Sequence, residues 1–451
     1  MFERNFFYVF NNGNVIGPFE KAQEFSDGLG AVKVGNKWGF IDSAGSMIID
    51  PKWGFVLPFQ DGLAEVSENY TSDEKCFINH KGEIVFKSTL NLPYGFHCGK
   101  ALFLDYDLGK YGYLGLNGEI SIAPKFDSAD NFIKGKAIVT ENGLYGIINE
   151  SGEYILPPEY SKIERYSHDE NFLEIRKEDN FGLMDENGKI IIPPLFDSIG
   201  KNTKGYESFN GFFVVEKNGK YGLFDSSGKM ICPPEYDEIG EFSENMLPIK
   251  INEKWGYMDE NGNIVIKPEF ESAEKFLFGK AVVEQNIRYG IIGRNGSWII
   301  EPEFMGIFLL RDGFIGQERY NQYSIFDFNG NKKEHTFENV GEFSEGFAKI
   351  KKDDKWGFID IDGNVIIEPQ FENVYNFENG LTIIKMGEKL GLVNKDGKII
   401  LKPTCKSIKI IWNDKGFAKV CKTGAKNGLI NKEGKWLIKP EFRNLEIYFE
   451  E

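Results

Sequence analysis

Histidine and cysteine are scarce in this chain of 451 residues, with four of the first and five of the second. Cys76, Cys98, Cys232, Cys405 and Cys421 are odd in number and irregular in spacing. That excludes a fully paired disulfide framework and reads as buried free thiols. His80, His97, His168 and His335 leave few candidates for general-base chemistry. Positive charge is not in excess: the net charge is −16 and the isoelectric point about 5.0. A uniformly basic footprint is excluded, so neither nucleic acid nor an anionic membrane is expected as a partner. Long hydrophobic runs are missing too. The apolar start Phe6-Phe7-Tyr8-Val9-Phe10 is cut by Asn11-Asn12-Gly13, and no stretch reaches the roughly 20 residues of a membrane span. With no signal peptide or spanning segment, a cytoplasmic chain is expected. The phosphate loop, the dinucleotide glycine fingerprint, His-Glu-x-x-His and Gly-x-Ser-x-Gly are all absent. No enzyme, cofactor or metal is expected from these absences.

Aromatic residues make up 15% of the chain, and Phe alone numbers 40 against 51 Gly. That is enough to bury a sizeable core. The organisation is internal repetition. One unit reads Gly346-Phe-Ala-Lys-Ile-Lys, then Lys355-Trp-Gly-Phe-Ile-Asp, then Gly363-Asn-Val-Ile-Ile-Glu-Pro-Gln-Phe371. The glycine of its Trp-Gly pair recurs at Gly39, Gly112, Gly146, Gly182, Gly222, Gly256, Gly290, Gly357, Gly391 and Gly428, mostly 34 to 37 residues apart, with Leu390 and Asn427 in place of the aromatic at the last two. The two long gaps hide degraded units at Lys75-Cys76-Phe77-Ile78 and Tyr323-Ser324-Ile325-Phe326. The N-terminus is a further diverged copy, with Phe7-Tyr8-Val9 preceding Gly13–Phe19. Trp53-Gly54 is a decoy, because Trp53 fills the aromatic place of the preceding unit's Pro-x-Phe. About thirteen units result, in one continuous array over residues 1–451, degenerate near 1–30, 73–99 and 311–340.

Each unit reads as three short strands. The first alternates apolar and polar residues, as in Ala348 and Ile350 against Lys349 and Lys351. The second, Trp356-Gly-Phe-Ile, is apolar on both faces and is expected between layers. The third is Val365-Ile-Ile, expected to stop at Pro369. Asp-x-x-Gly between the last two, as at Asp360 to Gly363, is a hairpin turn. Gly357 is expected to make room for a neighbouring unit. An all-β stack of three-stranded antiparallel meanders follows, since one such unit cannot bury both faces alone. An open solenoid is expected over the alternative of one or two β-propellers. Thirty-four residues are few for a propeller blade, which takes about 40 or more. The chain also stops near Leu445, just before a further strand is due.

These residues resemble the WG-repeat family of bacterial proteins. The resemblance is carried by Lys-Trp-Gly-Phe-Ile-Asp at 37–42 and 355–360, Lys-Trp-Gly-Tyr-Met-Asp at 254–259, and Pro-x-aromatic at Pro124, Pro158, Pro194, Pro234, Pro268, Pro302, Pro369 and Pro440. It implies an interaction role and no catalytic residues.

Among candidate sites, one acid follows Pro-x-aromatic in unit after unit: Asp127, Asp197, Asp237, Glu271 and Glu372, with Glu20 in the first copy. In one slot they would form a carboxylate ladder for a cationic protein. The local alternative is that each acid accepts turn N–H groups or pairs with a lysine. Cys76, His80, His97 and Cys98 form the one ligand-type cluster, in an order that matches no strong zinc pattern. Asp360-Ile-Asp362-Gly363 has part of a calcium loop, but Phe358 and Pro369 stand where ligands belong. A monomeric scaffold that binds another protein is expected. A carbohydrate- or envelope-binding array and a hydrolase assembled across units are the alternatives.

Overall fold

The computed structural model describes residues 5–10, 14–69, 74–90, 92, 95–166, 171–200, 211–411, 416–422 and 426–449. His168 and Gly13 lie outside these residues. The described chain is all β, in twelve four-stranded sheets and one three-stranded sheet. It divides into two compact units, Met1–Pro194 with Glu441–Glu451, and Leu195–Pro440.

Apart from the sheet that joins the chain ends, each repeat holds four strands and not three. In the clearest one, Asn339–Val340, Phe347–Lys352, Lys355–Asp360 and Val365–Phe371 form an antiparallel meander in chain order. Here the extra strand is two residues long and begins two residues after Phe337, the aromatic that closes the previous sheet. Two residues carry no readable period. They also fit a four-stranded blade into about 34 residues, the length that had argued against one.

The fourth strand does not stop at its proline. Val365–Phe371 is an edge strand that runs through Pro369. Trp356 pairs with Phe371 and Phe358 with Ile367, so Gly357 alone faces Glu368, Pro369 and Gln370. That is a bulge, and Pro369 sits where no ladder donor is needed. The bulge presses on the glycine. A Cβ on Gly357 would lie 2.2 Å from the Ile367 carbonyl oxygen and 2.7 Å from the Pro369 nitrogen. The same collision meets a Cβ at Gly39, 2.5 Å from Ile49 O, and at Gly256, 2.5 Å from Ile266 O. The repeated glycine thus makes room for the last strand of its own sheet, and not for a neighbouring unit. The decoy is explained as well: Trp53 pairs with Trp38 as Phe371 pairs with Trp356.

Degraded units lose both halves of this arrangement. Cys76 stands in the glycine slot and faces Lys87 with no shift in register between Lys75 and Phe77, on a strand, Ile84–Ser88, without proline. Ser324 faces Thr336 in the same way, on Lys332–Phe337, also without proline.

The third strand is buried from both sides. Phe358 joins Phe371, Val374, Phe377 and Ile384, while Ile359 joins Leu310, Ile315, Ile325 and Phe337. Successive sheets are locked by aromatic pairs meeting edge to face. Tyr113 meets Phe132 at 4.8 Å, Tyr257 meets Phe276 at 4.9 Å and Phe358 meets Phe377 at 5.0 Å between ring centroids. Where the ring is tyrosine, its hydroxyl finds a carbonyl in the next sheet. Tyr257 donates to Glu274 O and Tyr113 to Asp130 O, both at 2.6 Å.

The chain ends correct the open-solenoid expectation. Within the first unit, Leu445–Phe449 pairs in parallel with Asn5–Val9, which pairs in turn with Val15–Phe19. An open array would leave these segments in different sheets. Leu445–Phe449 instead extends the place of a short first strand and reaches Asn5–Val9 directly. Four-stranded blades with the two ends joined in one sheet belong to the β-propeller alternative.

Candidate binding surface

The acid after Pro-x-aromatic is set by the bulge before it and by the hairpin turn ahead. Asn218 N–H donates to Asp197 Oδ2 at 2.7 Å, and Asn252 N–H to Asp237 Oδ2 at 2.7 Å. Glu271 Oε2 accepts from Asn286 N–H at 3.0 Å, and Glu372 Oε2 from Gly387 N–H at 2.8 Å. Glu338, in the same slot, accepts from Asp353 N–H at 3.0 Å. Each acid caps the turn between the second and third strands of its own sheet.

Lysines complete the pattern. Lys254 of the preceding sheet reaches Glu271 at 2.8 Å, and Lys110 and Lys220 reach Asp127 and Asp237 in the same manner. Lys217 pairs with Asp197 at 2.8 Å within one sheet. These ammonium groups, with the turn N–H groups, hold the carboxyls of Asp127, Asp197, Asp237 and Glu271 below the usual carboxylate range. The five acids occupy equivalent places, one per sheet. The bonds they make are to their own turns and lysines and not to each other.

A second set of acids was not singled out from the sequence. Asp27, Asp61, Glu244 and Glu345 accept from the N–H of Gly62, Gly99, Gly279 and Gly380, at 2.7 to 2.9 Å. Each bond spans 35 or 38 residues and so joins successive units. Glu244 and Glu345 also pair with Arg294 and Lys395. The readable signal was an acid just before the glycine or asparagine that opens the second strand.

The other candidates resolve locally. Asp360 Oδ1 accepts from the N–H groups of Asp362 at 3.0 Å and Asn364 at 2.8 Å, which is the turn reading of Asp-x-x-Gly. Cys76 is buried, Cys98 is exposed, and the His80 ring lies 4.7 Å from that of Phe59. Among the described residues, no three His, Cys, Asp or Glu gather as a metal site. Burial raises the thiols of Cys76 and Cys405, and pushes Cys232 up to about 12. The repeated aromatic itself is half-buried at Trp38 and Trp356, where it leans on a core cluster.

The family described as "WG containing repeat" matches at residues 11–38, 38–71, 111–145, 145–180, 181–221, 221–255, 255–286, 289–316, 333–356, 356–389, 391–424 and 428–451. The chain belongs to the WG-repeat family. The two longest stretches left unmatched, 72–110 and 317–332, contain units whose WG glycine is replaced, by Cys76 and by Ser324. No curated protein matches the WG-repeat sequence. Among solved structures, a eukaryotic initiation factor is 11% identical at TM-score 0.36, over 69% of this chain and 97% of that one. BamB from Moraxella catarrhalis is 9% identical at TM-score 0.29, over 66% and 94%. The designed Ika8 protein is 11% identical at TM-score 0.27, over 60% and 93%. Likenesses this weak carry no argument about this chain.

Proposed function

We propose that this WG-repeat protein is a non-enzymatic scaffold that binds another protein along one edge of its sheets. The observation that carries the reading is a contrast between repeats. The framework recurs: Gly opposite the proline bulge in most sheets, an aromatic closing the strand, and an acid capping the turn at Asp127, Asp197, Asp237, Glu271, Glu338 and Glu372. The capped turn tips vary freely. They read Asn142-Gly143, Glu178-Asp179, Asn218-Gly219, Asn252-Glu253, Asn286-Ile287, Asp353-Asp354 and Gly387-Glu388. A repeat that holds its support fixed and varies its tips suits recognition. The capping carboxylates, Asp127, Asp197, Asp237, Glu271 and Glu372, place negative charge beneath these tips. A partner with a cationic face fits them. The half-buried WG aromatics lean on the core, which favours this reading over carbohydrate stacking.

The test is affinity capture from the source cell, repeated with Asp237→Asn, Glu271→Gln and Glu372→Gln combined. A specific protein should be recovered by the wild type, and less of it by the variant at low salt. Recovery of glycan alone, or of no reproducible protein, would count against the scaffold.

A further inference from the structure

Within Leu195–Pro440 the row of capping acids is broken at Met305 and at Lys406, and the break at Met305 falls between two turn tips that expose large apolar side chains. Phe304 closes the Pro-x-aromatic of its strand, and the next residue is Met305 where its neighbours have Glu271 and Glu338. Met305 keeps the backbone bond of the slot, donating its N–H to Gln317 O at 2.8 Å, as Glu271 does to Glu284. Its side chain is 42% exposed.

Glu271 fixes where the slot stands. It touches Lys254, just after one turn, and the N–H of Asn286, in the next turn. By the same register Met305 stands between turn 286–287 and turn 320–321. These turns carry Ile287, 80% exposed, and Tyr320, 82% exposed. Arg288 takes the place of Lys254. With methionine in the slot, it makes no ion pair among the described residues.

Ile287 is also held against its conformational preference. Its φ is +57°, in the place of Gly143 and Gly219. A β-branched residue is disfavoured there, and glycine is at ease. The fold gains nothing from an exposed isoleucine at that point.

We propose that Ile287, Arg288, Met305 and Tyr320 form the docking point for a protein segment with apolar anchors flanked by lysine or arginine. The composition is that of a binding hot spot, rich in aromatic, Met and Arg side chains and bare of Lys. The surroundings set the charge of the partner. Glu271 and Glu338 bracket the island, and the tips beyond it carry Glu253 and Asp354, whose side chains are 89% and 91% exposed. Apolar anchors fill the island, and the flanking cations meet the carboxylates.

This inference rests on the scaffold reading and names its site. The test uses the full chain and a labelled peptide Lys-Lys-Leu-Phe-Leu-Lys-Lys, with a second peptide carrying Glu for every Lys. Fluorescence anisotropy should show binding of the first and not the second, weakening with salt. Ile287→Gly with Tyr320→Ser should weaken it about tenfold or more. Ile287→Gly alone should keep or raise the melting temperature, because glycine relieves the turn. Tyr320 is 82% exposed, so the double variant should melt no lower than the wild type, and the same melt on it separates loss of binding from loss of fold. Unchanged affinity in the double variant, with loss on Asp127→Asn, would remove the island and leave the scaffold reading. No binding of either peptide to the wild type would overturn the docking point, while the capture experiment judges the scaffold separately.

Discussion

At Gly357 one missing carbon decides whether a bulge can form. A methyl placed there meets the carbonyl oxygen of Ile367 at 2.2 Å, far inside contact distance. Gly357→Ala should cost about 1–3 kcal/mol, read as a shift in the denaturant midpoint. The aromatic beside it was legible as a repeat marker, but the reason for the glycine was not. A sequence shows the spacing of Gly357 and Pro369 without showing that they collide. The capping acids raise a pH question at the same scale. Lys217 and the Asn218 N–H favour the ionised Asp197, so its folded pKa lies below its unfolded one. Its stabilising contribution is complete above the unfolded value of about 4 and is lost as pH falls through the folded value. An NMR titration should place Asp197 below the ordinary Asp range, and Lys217→Met should move it up. Thiol chemistry separates equally well. Cys98 is exposed and Cys76, Cys232 and Cys405 are buried, so a maleimide should label Cys98 first in the native protein. Rapid labelling of Cys232 without denaturant would contradict the described packing.

At the scale of the element, the four strands differ in how plainly they were written. The third was readable because Trp356, Phe358 and Ile359 are apolar on both faces, and the structure sandwiches it between two clusters. The second was readable by alternation, as in Ala348 and Ile350. The first was hidden because Asn339–Val340 is too short to show any period. The fourth was cut short, since proline was read as an end and it marks a bulge on an edge strand. That proline also leaves the outer edge of the sheet short of a donor, which discourages pairing with another chain. Phe358 joins the third strand to the next sheet. Phe358→Ala should cost about 3–5 kcal/mol by calorimetry or denaturant melt.

For the molecule as a whole, the number of units was countable and the manner of ending was not. The closing pair depends on Leu445–Phe449 lying parallel to Asn5–Val9, and contacts between distant segments leave no local pattern. Phe7 meets Phe442 at 5.0 Å and Tyr8 meets Tyr448 at 6.0 Å, so the closure is also a side-chain seam. Removing residues 445–451 should lower the melting temperature and expose Asn5–Val9 to hydrogen exchange, while turns far along the chain stay protected. Equal exchange in all sheets would mean that the closure carries no special stability.

The bulge has a historical consequence. A repeat that loses its glycine first is strained, and one that loses its two extra residues first leaves the glycine without a purpose. The unit at 75–88 shows both changes: thirteen residues separate Lys75 from its partner Ser88, where fifteen separate Trp356 from Phe371. Reversal would need an insertion and a substitution together. The unit at 75–88 therefore differs from its neighbours by two coupled changes, and neither one reversed alone restores the bulge.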